Sequence, residues 1–275
     1  MYIEILSHMV SAAISASNKI CEIYNGQFSI TEKEDNSPLT TADIESNRII
    51  TTHLRSRFPE YAILTEEEHD DLSRLTNPFG VFIVDPLDGT KEFIKKNGEF
   101  CVSVALAVKN KIVCGVVAVP VQKVLYYAIE GHGAYKCNFD AVSCGFTFGV
   151  GKCLSVSSRR DKVIVALSRS HGDEKTEKML ERNAVRILET VTVGSCLKGC
   201  MIAEGKADVH YRFGPGTKEW DTAGMQIICE EAGAVFTDIY GAPLKANRDD
   251  PRNLDGFIIL NHPISALDID GLVTQ

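Results

Sequence analysis

Three consecutive apolar runs in the first half of the chain constrain the fold most strongly. Residues 101–108 and 112–119 are rich in valine and alanine and are separated only by the polar residues 109–111, and residues 124–129 form a third run. Apolar runs of this length, joined by short polar turns, are typical of strands that pair with their neighbours in sequence. The sequence therefore predicts an antiparallel meander.

Helices are predicted on both sides of this meander along the chain. Apolar residues from Ile3 to Ile20 recur at steps of three and four and stop at Gly26, and a second helix opens at Thr41 and ends before Pro59. Residues 32–38 between these helices indicate a loop or hairpin. Further helices are predicted at 174–182, 195–204 and 222–232, and further strands at 61–64, 81–84, 163–167, 207–211, 235–237 and 256–260. This mixture favours a layered α/β or α+β fold over a simple doubly wound sheet.

Composition and charge narrow the class of protein. The chain has 275 residues, 44% of them hydrophobic, and this composition excludes a disordered or fibrous protein. Its net charge of −8 argues against a nucleic-acid polymer as partner, whereas a small phosphorylated ligand is compatible with it. A glycine-rich stretch from Gly131 to Gly151 predicts a boundary between an N-terminal lobe, 1–150, and a C-terminal lobe, 151–275.

The cysteines and the N-terminus predict the compartment. The nine cysteines form no C-x-x-C pair, so free thiols are expected, with Cys196 and Cys200 as packing residues. Several cysteines fall in residues 137–153, for which the sequence suggests no role. We find no secretory signal in residues 1–10 and no apolar stretch long enough to span a membrane. We therefore expect a cytoplasmic protein, with peripheral association with the inner membrane as an alternative.

The segment Asp85-Pro86-Leu87-Asp88-Gly89-Thr90 carries the clearest chemical signal. A buried strand delivers two carboxylates three residues apart, and Pro86 restricts the turn that holds them. Hard divalent cations need several oxygen ligands, which two aspartates on one turn can provide. An acidic surface turn is the alternative interpretation.

Three more carboxylates occur at the ends of predicted elements. Glu66 follows a strand, whereas Asp43 and Asp221 lie at helix starts, where either could simply cap its helix. Several carboxylates with no histidine or cysteine cluster favour Mg²⁺ or Mn²⁺ over zinc.

Two motifs connect these residues to a known family. Residues 85–90 and Trp220-Asp221-Thr222-Ala223-Gly224 resemble the signatures of the inositol monophosphatase superfamily. The resemblance implies a layered αβαβα sandwich and Mg²⁺-dependent removal of phosphate from small phosphoesters. Residues 37–43, 91–93, 168–171 and 213–215 are similar to those of one branch, the bacterial 3'(2'),5'-bisphosphate nucleotidases of the CysQ type. This branch would hydrolyse adenosine 3',5'-bisphosphate to AMP and phosphate.

The resemblance also implies roles for individual residues. Two or three Mg²⁺ ions would be held by Glu66, Asp85, the Leu87 carbonyl, Asp88 and Asp221. The expected catalytic residues are Asp43, Thr90 and Glu66, with Thr90 and Asp43 orienting the attacking water. The expected substrate contacts are Glu66, Leu87, Asp88, Gly89, Thr90, Ser168, Arg169, His171, Ser195, Lys198, Arg212 and Asp221.

Simpler interpretations exist for three of these contacts. Lys198 could be a solvated helix residue, His171 a loop histidine and Ser195 a helix cap. For the whole protein, the alternatives are an inositol monophosphatase or fructose-1,6-bisphosphatase of the same superfamily, or a non-catalytic ligand-sensing protein on the same fold. The expected partner is a small-molecule phosphorylated nucleotide, bound by a monomer or homodimer.

Overall fold

A computed structural model of the chain describes residues 1–32, 38–70, 72–170 and 172–273. The described residues contain six α-helices: α1 (Tyr2–Asn25), α2 (Thr41–Arg57), α3 (Thr90–Ile94), α4 (Glu174–Arg182), α5 (Leu197–Ala203) and α6 (Glu219–Glu231). Their fourteen strands are β1 (Ile30–Glu32), β2 (Pro38–Thr40), β3 (Ala62–Thr65), β4 (Val81–Asp88), β5 (Cys101–Val108), β6 (Lys111–Val119), β7 (Val124–Ile129), β8 (Ala134–Asn138), β9 (Lys152–Cys153), β10 (Val163–Ser168), β11 (Ile187–Val193), β12 (Val209–Phe213), β13 (Val235–Asp238) and β14 (Gly256–Leu260).

Two large sheets organise the molecule. Strands β3 to β9 form a seven-stranded sheet in chain order, in which only β3 and β4 are parallel, so the predicted meander of β5, β6 and β7 is confirmed. The second sheet has five strands in the order β11-β10-β12-β14-β13. Strands β1 and β2 pair antiparallel as a hairpin, and residues 33–37 between them lie outside the described residues.

The helices and sheets alternate in layers. Helices α1 and α2 cover one face of the seven-stranded sheet, α5 and α6 lie between the two sheets, and α4 covers the outer face of the smaller sheet. This is the predicted αβαβα sandwich. It explains the long apolar runs, because both faces of the larger sheet are buried. In β4, Phe82 and Val84 point towards α1 and α2, whereas Val81 and Ile83 point towards α5 and α6.

Some elements differ from the sequence predictions. Strand β11 was not predicted, because it is an edge strand with mostly exposed side chains and lacks an apolar run. Helix α6 begins at Glu219 rather than Thr222, which places Asp221 inside its first turn instead of at the cap. The sheets draw their strands from residues 62–153 and 163–260, while α6 covers the first sheet. The division into lobes at residue 150 remains a prediction.

Two further observations concern the cysteines and the helices. All nine cysteines are free thiols, as expected. Of the helices in the described ranges, none combines the length and the apolar character needed to cross a membrane.

Candidate metal centre and substrate cleft

Two glycines allow α6 to lie directly on the larger sheet. A Cβ atom on Gly224 would lie 2.4 Å from Ser103 Oγ, and one on Gly115 of β6 would lie 2.6 Å from Ile227 Cγ2. Both distances are too short for any larger residue, so the helix and sheet backbones meet here. This close approach brings Asp221, in the first turn of α6, beside the end of β4.

Three aspartates converge at that point. The side-chain oxygens of Asp85, Asp88 and Asp221 lie within 4.8 Å of one another. The pairing of β4 with β5 shifts register between Asp85 and Asp88, so both carboxylates lie at the site although two residues separate them. Asp85 is 1% exposed; its Oδ1 accepts the Leu87 N–H at 3.0 Å, and its Oδ2 has no hydrogen-bond partner among the described residues.

The electrostatics of this cluster are unfavourable without a cation. Burial, and then the charges of Glu66 and Asp88, raise the pKa of Asp85 well above its ordinary value. Burial and the same two carboxylates raise the pKa of Asp221 to about 8. A bound divalent cation would lower the pKa of each of these carboxyl groups, because it favours the ionised form of each ligand.

The donor set fits Mg²⁺ or Mn²⁺. Glu66, the three aspartates and the Leu87 carbonyl all offer oxygen, and all five residues line one cleft. The unpartnered Oδ2 of Asp85 is the kind of buried acceptor that a cation would satisfy.

Two cysteines also lie beside Asp88. The Sγ atoms of Cys101 and Cys196 lie within 4.8 Å of its carboxylate. A hydrogen bond from Cys101, burial and the charge of Asp88 raise the pKa of Cys196 well above its ordinary value, so this thiol stays protonated. Cys101 Sγ donates to Asp88 Oδ2 at 3.6 Å. Cys196 and Cys200 both lie in the hydrophobic core, as expected from the sequence, and Cys196 also lies beside Asp88.

Residues before α5 hold Asp88 in place. Ser195 adopts a left-handed conformation with φ 61°, and both its hydroxyl and the following Cys196 N–H donate to Asp88 Oδ2 at 2.6 Å. The interpretation of Ser195 as a helix cap is wrong, since α5 begins at Leu197 and the hydroxyl points to Asp88.

Thr90 and Asp43 form a hydrogen-bonded pair at the mouth of the site. Thr90 Oγ1 donates to Asp43 Oδ1 at 3.0 Å and lies 3.3 Å from the Leu87 carbonyl oxygen. Asp43 is 1% exposed, and its Oδ2 accepts the Thr40 N–H at 2.7 Å in a capping box that begins α2. Asp43 therefore stabilises its helix and contacts Thr90 at the same time.

Most of the predicted site residues line a single cleft between the two sheets, with an empty volume of about 1010 Å³ that includes open solvent. They are Glu66, Asp85, Leu87, Asp88, Gly89, Thr90, Ser168, Arg169, Ser195, Lys198, Arg212 and Asp221. His171 lies outside the described residues. Other residues that line or border the cleft were not predicted as site residues, among them Glu92, Glu99, His210 and Thr217.

Basic side chains also line the cleft, which gives it a basic wall formed by Lys198, Arg169 and Arg212. Lys198 is only 8% exposed and donates from Nζ to the Ser195 carbonyl at 2.7 Å, so the solvated-helix interpretation is wrong. Burial lowers the pKa of Lys198, an effect that the charge of Asp88 opposes. Arg169 donates to Glu99 Oε1 at 2.6 Å and to the Thr192 carbonyl at 2.8 Å.

An acidic oxygen cluster and a buried lysine, in one cleft of an αβαβα sandwich, are the features of a metal-dependent site for an anionic ligand. Comparison with known proteins places the chain within this class. Residues 1–262 match the model of the inositol monophosphatase family, to which the chain therefore belongs.

Individual relatives agree with this assignment. The 3'(2'),5'-bisphosphate nucleotidase CysQ of Escherichia coli is 39% identical over 241 residues, covering 87% of this chain and 92% of the relative. The crystal structure of CysQ from Bacteroides thetaiotaomicron is 37% identical, with a TM-score of 0.81 over 95% of this chain and 98% of that one. An inositol monophosphatase/NADP phosphatase solved with Mg²⁺ and phosphate shares the fold, at 22% identity and a TM-score of 0.71 over 90% of this chain and 86% of that one.

Proposed function

We propose that the protein is a Mg²⁺-dependent 3'(2'),5'-bisphosphate nucleotidase that hydrolyses adenosine 3',5'-bisphosphate to AMP and phosphate. The observation that carries the proposal is one cleft that is lined both by a three-aspartate cluster and by the buried Lys198. Such a cleft can receive one phosphate at the carboxylate end and a second at the basic wall. The relatives named as bisphosphate nucleotidases support this substrate class.

The carboxylate end would bind the cations. Glu66, Asp85, Asp88, Asp221 and the Leu87 carbonyl would hold two or three Mg²⁺, with Mn²⁺ as an alternative. When bound, these ions supply charge neutralisation for the phosphate oxygens and acidify the attacking water. Ser195 and the Cys196 N–H keep Asp88 oriented for this task, since both donate to the same oxygen.

Thr90 and Asp43 would accept the proton that the attacking water loses. The Thr90 hydroxyl donates its hydrogen to Asp43, so the lone pairs of Oγ1 remain available to accept a proton from water. Asp43, held by the Thr40 N–H, can accept the Thr90 proton in the same event. Gly89 makes the turn that precedes Thr90 with a φ of 97°, a conformation that favours glycine. A Cβ atom at this position would also lie only 3.1 Å from the Glu99 carbonyl oxygen.

The basic wall would bind the phosphate that is not cleaved. Lys198 and Arg212 line the cleft, and Ser168 and Arg169 lie at its rim. Because Lys198 is nearly dehydrated, its contact with a phosphate would be stronger than one at the surface. His171 belongs to the same proposed subsite by resemblance. We further propose a cytoplasmic protein that acts as a monomer or homodimer.

The direct test is a panel of phosphate-release assays with purified protein. Adenosine 3',5'-bisphosphate, its 2',5' isomer, the sulfated nucleotide, inositol 1-phosphate and fructose 1,6-bisphosphate would be compared with Mg²⁺ and with EDTA. We expect Mg²⁺-dependent hydrolysis, highest for the adenosine bisphosphates and inhibited by millimolar Li⁺. Asp88→Asn, folded but inactive, is the control for a contaminating phosphatase. Preferred hydrolysis of inositol 1-phosphate would refute the proposed substrate.

A further inference from the structure

His210 lies in the cleft but has no role in the proposed chemistry. It lies on β12, is 2% exposed and lines the cleft. Its Nδ1 is 2.8 Å from the Ala166 carbonyl oxygen of β10. Because a carbonyl can only accept, Nδ1 carries the proton, and Nε2 of the neutral ring presents a lone pair.

That lone pair has no partner within the protein. Nε2 is buried, and no hydrogen-bond partner for it occurs in the part of the chain that the structure describes. The ring meets Phe257 edge-on, with centroids 5.6 Å apart, and Phe257 also lines the cleft. Packing and the Ala166 contact therefore hold the ring in one orientation. Buried polar atoms are nearly always hydrogen-bonded, so a donor that enters the cleft is the natural partner of Nε2.

The charge around His210 restricts what that donor can be. Burial, and then the positive charge of Lys198, lower the pKa of His210 to about 3, so the imidazole is neutral at physiological pH. A neutral acceptor cannot bind an ionised phosphate, whose oxygens are acceptors as well. Lys198 provides the cation at this wall, which leaves His210 to contact an uncharged donor next to the phosphate.

We propose that Nε2 of His210 accepts a hydrogen bond from an O–H or N–H group on the nucleoside part of the substrate, and so helps to select nucleotides over other phosphate esters. The inference rests on the proposed function, because only a nucleotide substrate brings a nucleoside into the cleft. In adenosine 3',5'-bisphosphate the available donors are the ribose 2'-hydroxyl and the amino group of adenine.

The test compares three substrates on the same preparations. The ratio kcat/KM is measured for adenosine 3',5'-bisphosphate, for its 2'-deoxy analogue, which lacks the 2'-hydroxyl, and for purine riboside 3',5'-bisphosphate, which lacks the 6-amino group. In the parent protein we expect the analogue without the contacted donor to lose roughly tenfold to a hundredfold. In His210→Phe, which keeps a ring against Phe257 but removes the acceptor, that loss should shrink to within about threefold.

Two further variants complete the test. His210→Gln should keep part of the discrimination, since its amide oxygen can accept. His132→Phe, at an exposed turn, is the matched control and should discriminate like the parent. Because each ratio compares two substrates on one sample, a partly unfolded variant cannot mimic the result.

The outcomes separate the inference from the function on which it rests. Equal kcat/KM for all three nucleotides in the parent would overturn the role of His210, and so would a penalty that persists undiminished in His210→Phe. Failure of the parent to hydrolyse any of the nucleotides, with activity on inositol 1-phosphate, would overturn the proposed function and this inference with it. The analogue that loses activity identifies the hydroxyl or the amine as the donor.

Discussion

Replacing Asp221 by asparagine should stabilise the metal-free protein while abolishing turnover. In the parent, burial and the charges of Asp88 and Glu66 raise the pKa of Asp221 from 3.8 to about 8. The folded state therefore binds a proton that the unfolded state releases, and the stability of the metal-free protein should fall as the pH rises between these two values. Asparagine removes the charge but keeps an acceptor for the Lys218 N–H that begins α6.

The size of the effect follows from that pKa. At about pH 7, roughly three pH units above the ordinary value, keeping this carboxyl protonated costs the folded state at most about 4 kcal/mol. Asp221 is partly open to the cleft and its ionisation is coupled to that of Asp85 and Asp88, so solvent and proton sharing reduce this cost. We therefore expect a gain of about 1–2 kcal/mol, or ~2–8 °C in Tm for a chain of this size.

Thermal unfolding at two pH values measures the difference in stability between the parent and Asp221→Asn. Parent and Asp221→Asn would be melted in EDTA at about pH 5 and about pH 8, and again with millimolar Mg²⁺. The variant should be more stable than the parent in EDTA, most clearly at the higher pH, and Mg²⁺ should stabilise only the parent. Asp250→Asn is the matched control, because the Arg252 side chain lowers the pKa of Asp250 to about 2 and removal of that charge should not stabilise the protein.

Two results would refute the reasoning. If metal-free Asp221→Asn were no more stable than the parent at the higher pH, the carboxylates would not repel one another as their burial implies. If Mg²⁺ stabilised parent and variant equally, Asp221 would not be a ligand.

Three other substitutions test the remaining parts of the cleft. Thr90→Val removes the hydroxyl that donates to Asp43 and should lower kcat by about 10²–10⁴ with little change in Tm, and near-parental kcat would exclude Thr90 from proton transfer. Gly224→Ala would put a Cβ 2.4 Å from Ser103 Oγ, so it should lower the free energy of unfolding in urea by about 1–3 kcal/mol and should also lower activity. The control Gly172→Ala, whose Cβ would have nothing within 4 Å, should leave the free energy of unfolding unchanged. Lys198→Ala should raise KM for adenosine 3',5'-bisphosphate roughly tenfold to a hundredfold, unlike the exposed control Lys206→Ala. Equal loss on inositol 1-phosphate would assign Lys198 to structure.

The sequence by itself was sufficient for the layered architecture and for the carboxylates that the structure brings together as candidate metal ligands. Apolar runs such as 101–108 and 112–119 indicate strands that are buried along their whole length. Such runs and the periodicity of helices are both patterns of neighbouring residues, so they can be recognised without knowing the fold. The sequence could predict that the carboxylates of residues 85–90 and Asp221 lie together, because cation binding demands a particular residue type in a recognisable motif. The edge strand β11 was not predicted, because most of its side chains are exposed and its sequence therefore lacks an apolar pattern.

Only the tertiary structure decided how the cleft is assembled. Thr90 meets Asp43 across 47 residues, Ser195 meets Asp88 across 107, and Arg169 meets Glu99 across 70. Ser195 and Lys198 look like an ordinary cap and a solvated side chain in the sequence, yet in the fold the Ser195 hydroxyl donates to Asp88 and Lys198 is buried beside the Ser195 carbonyl. The fold also buries His210 with its Nε2 unpartnered among the described residues. Burial and long-range partners determine the pKa and the hydrogen bonding of these groups, and neither property is encoded in local sequence.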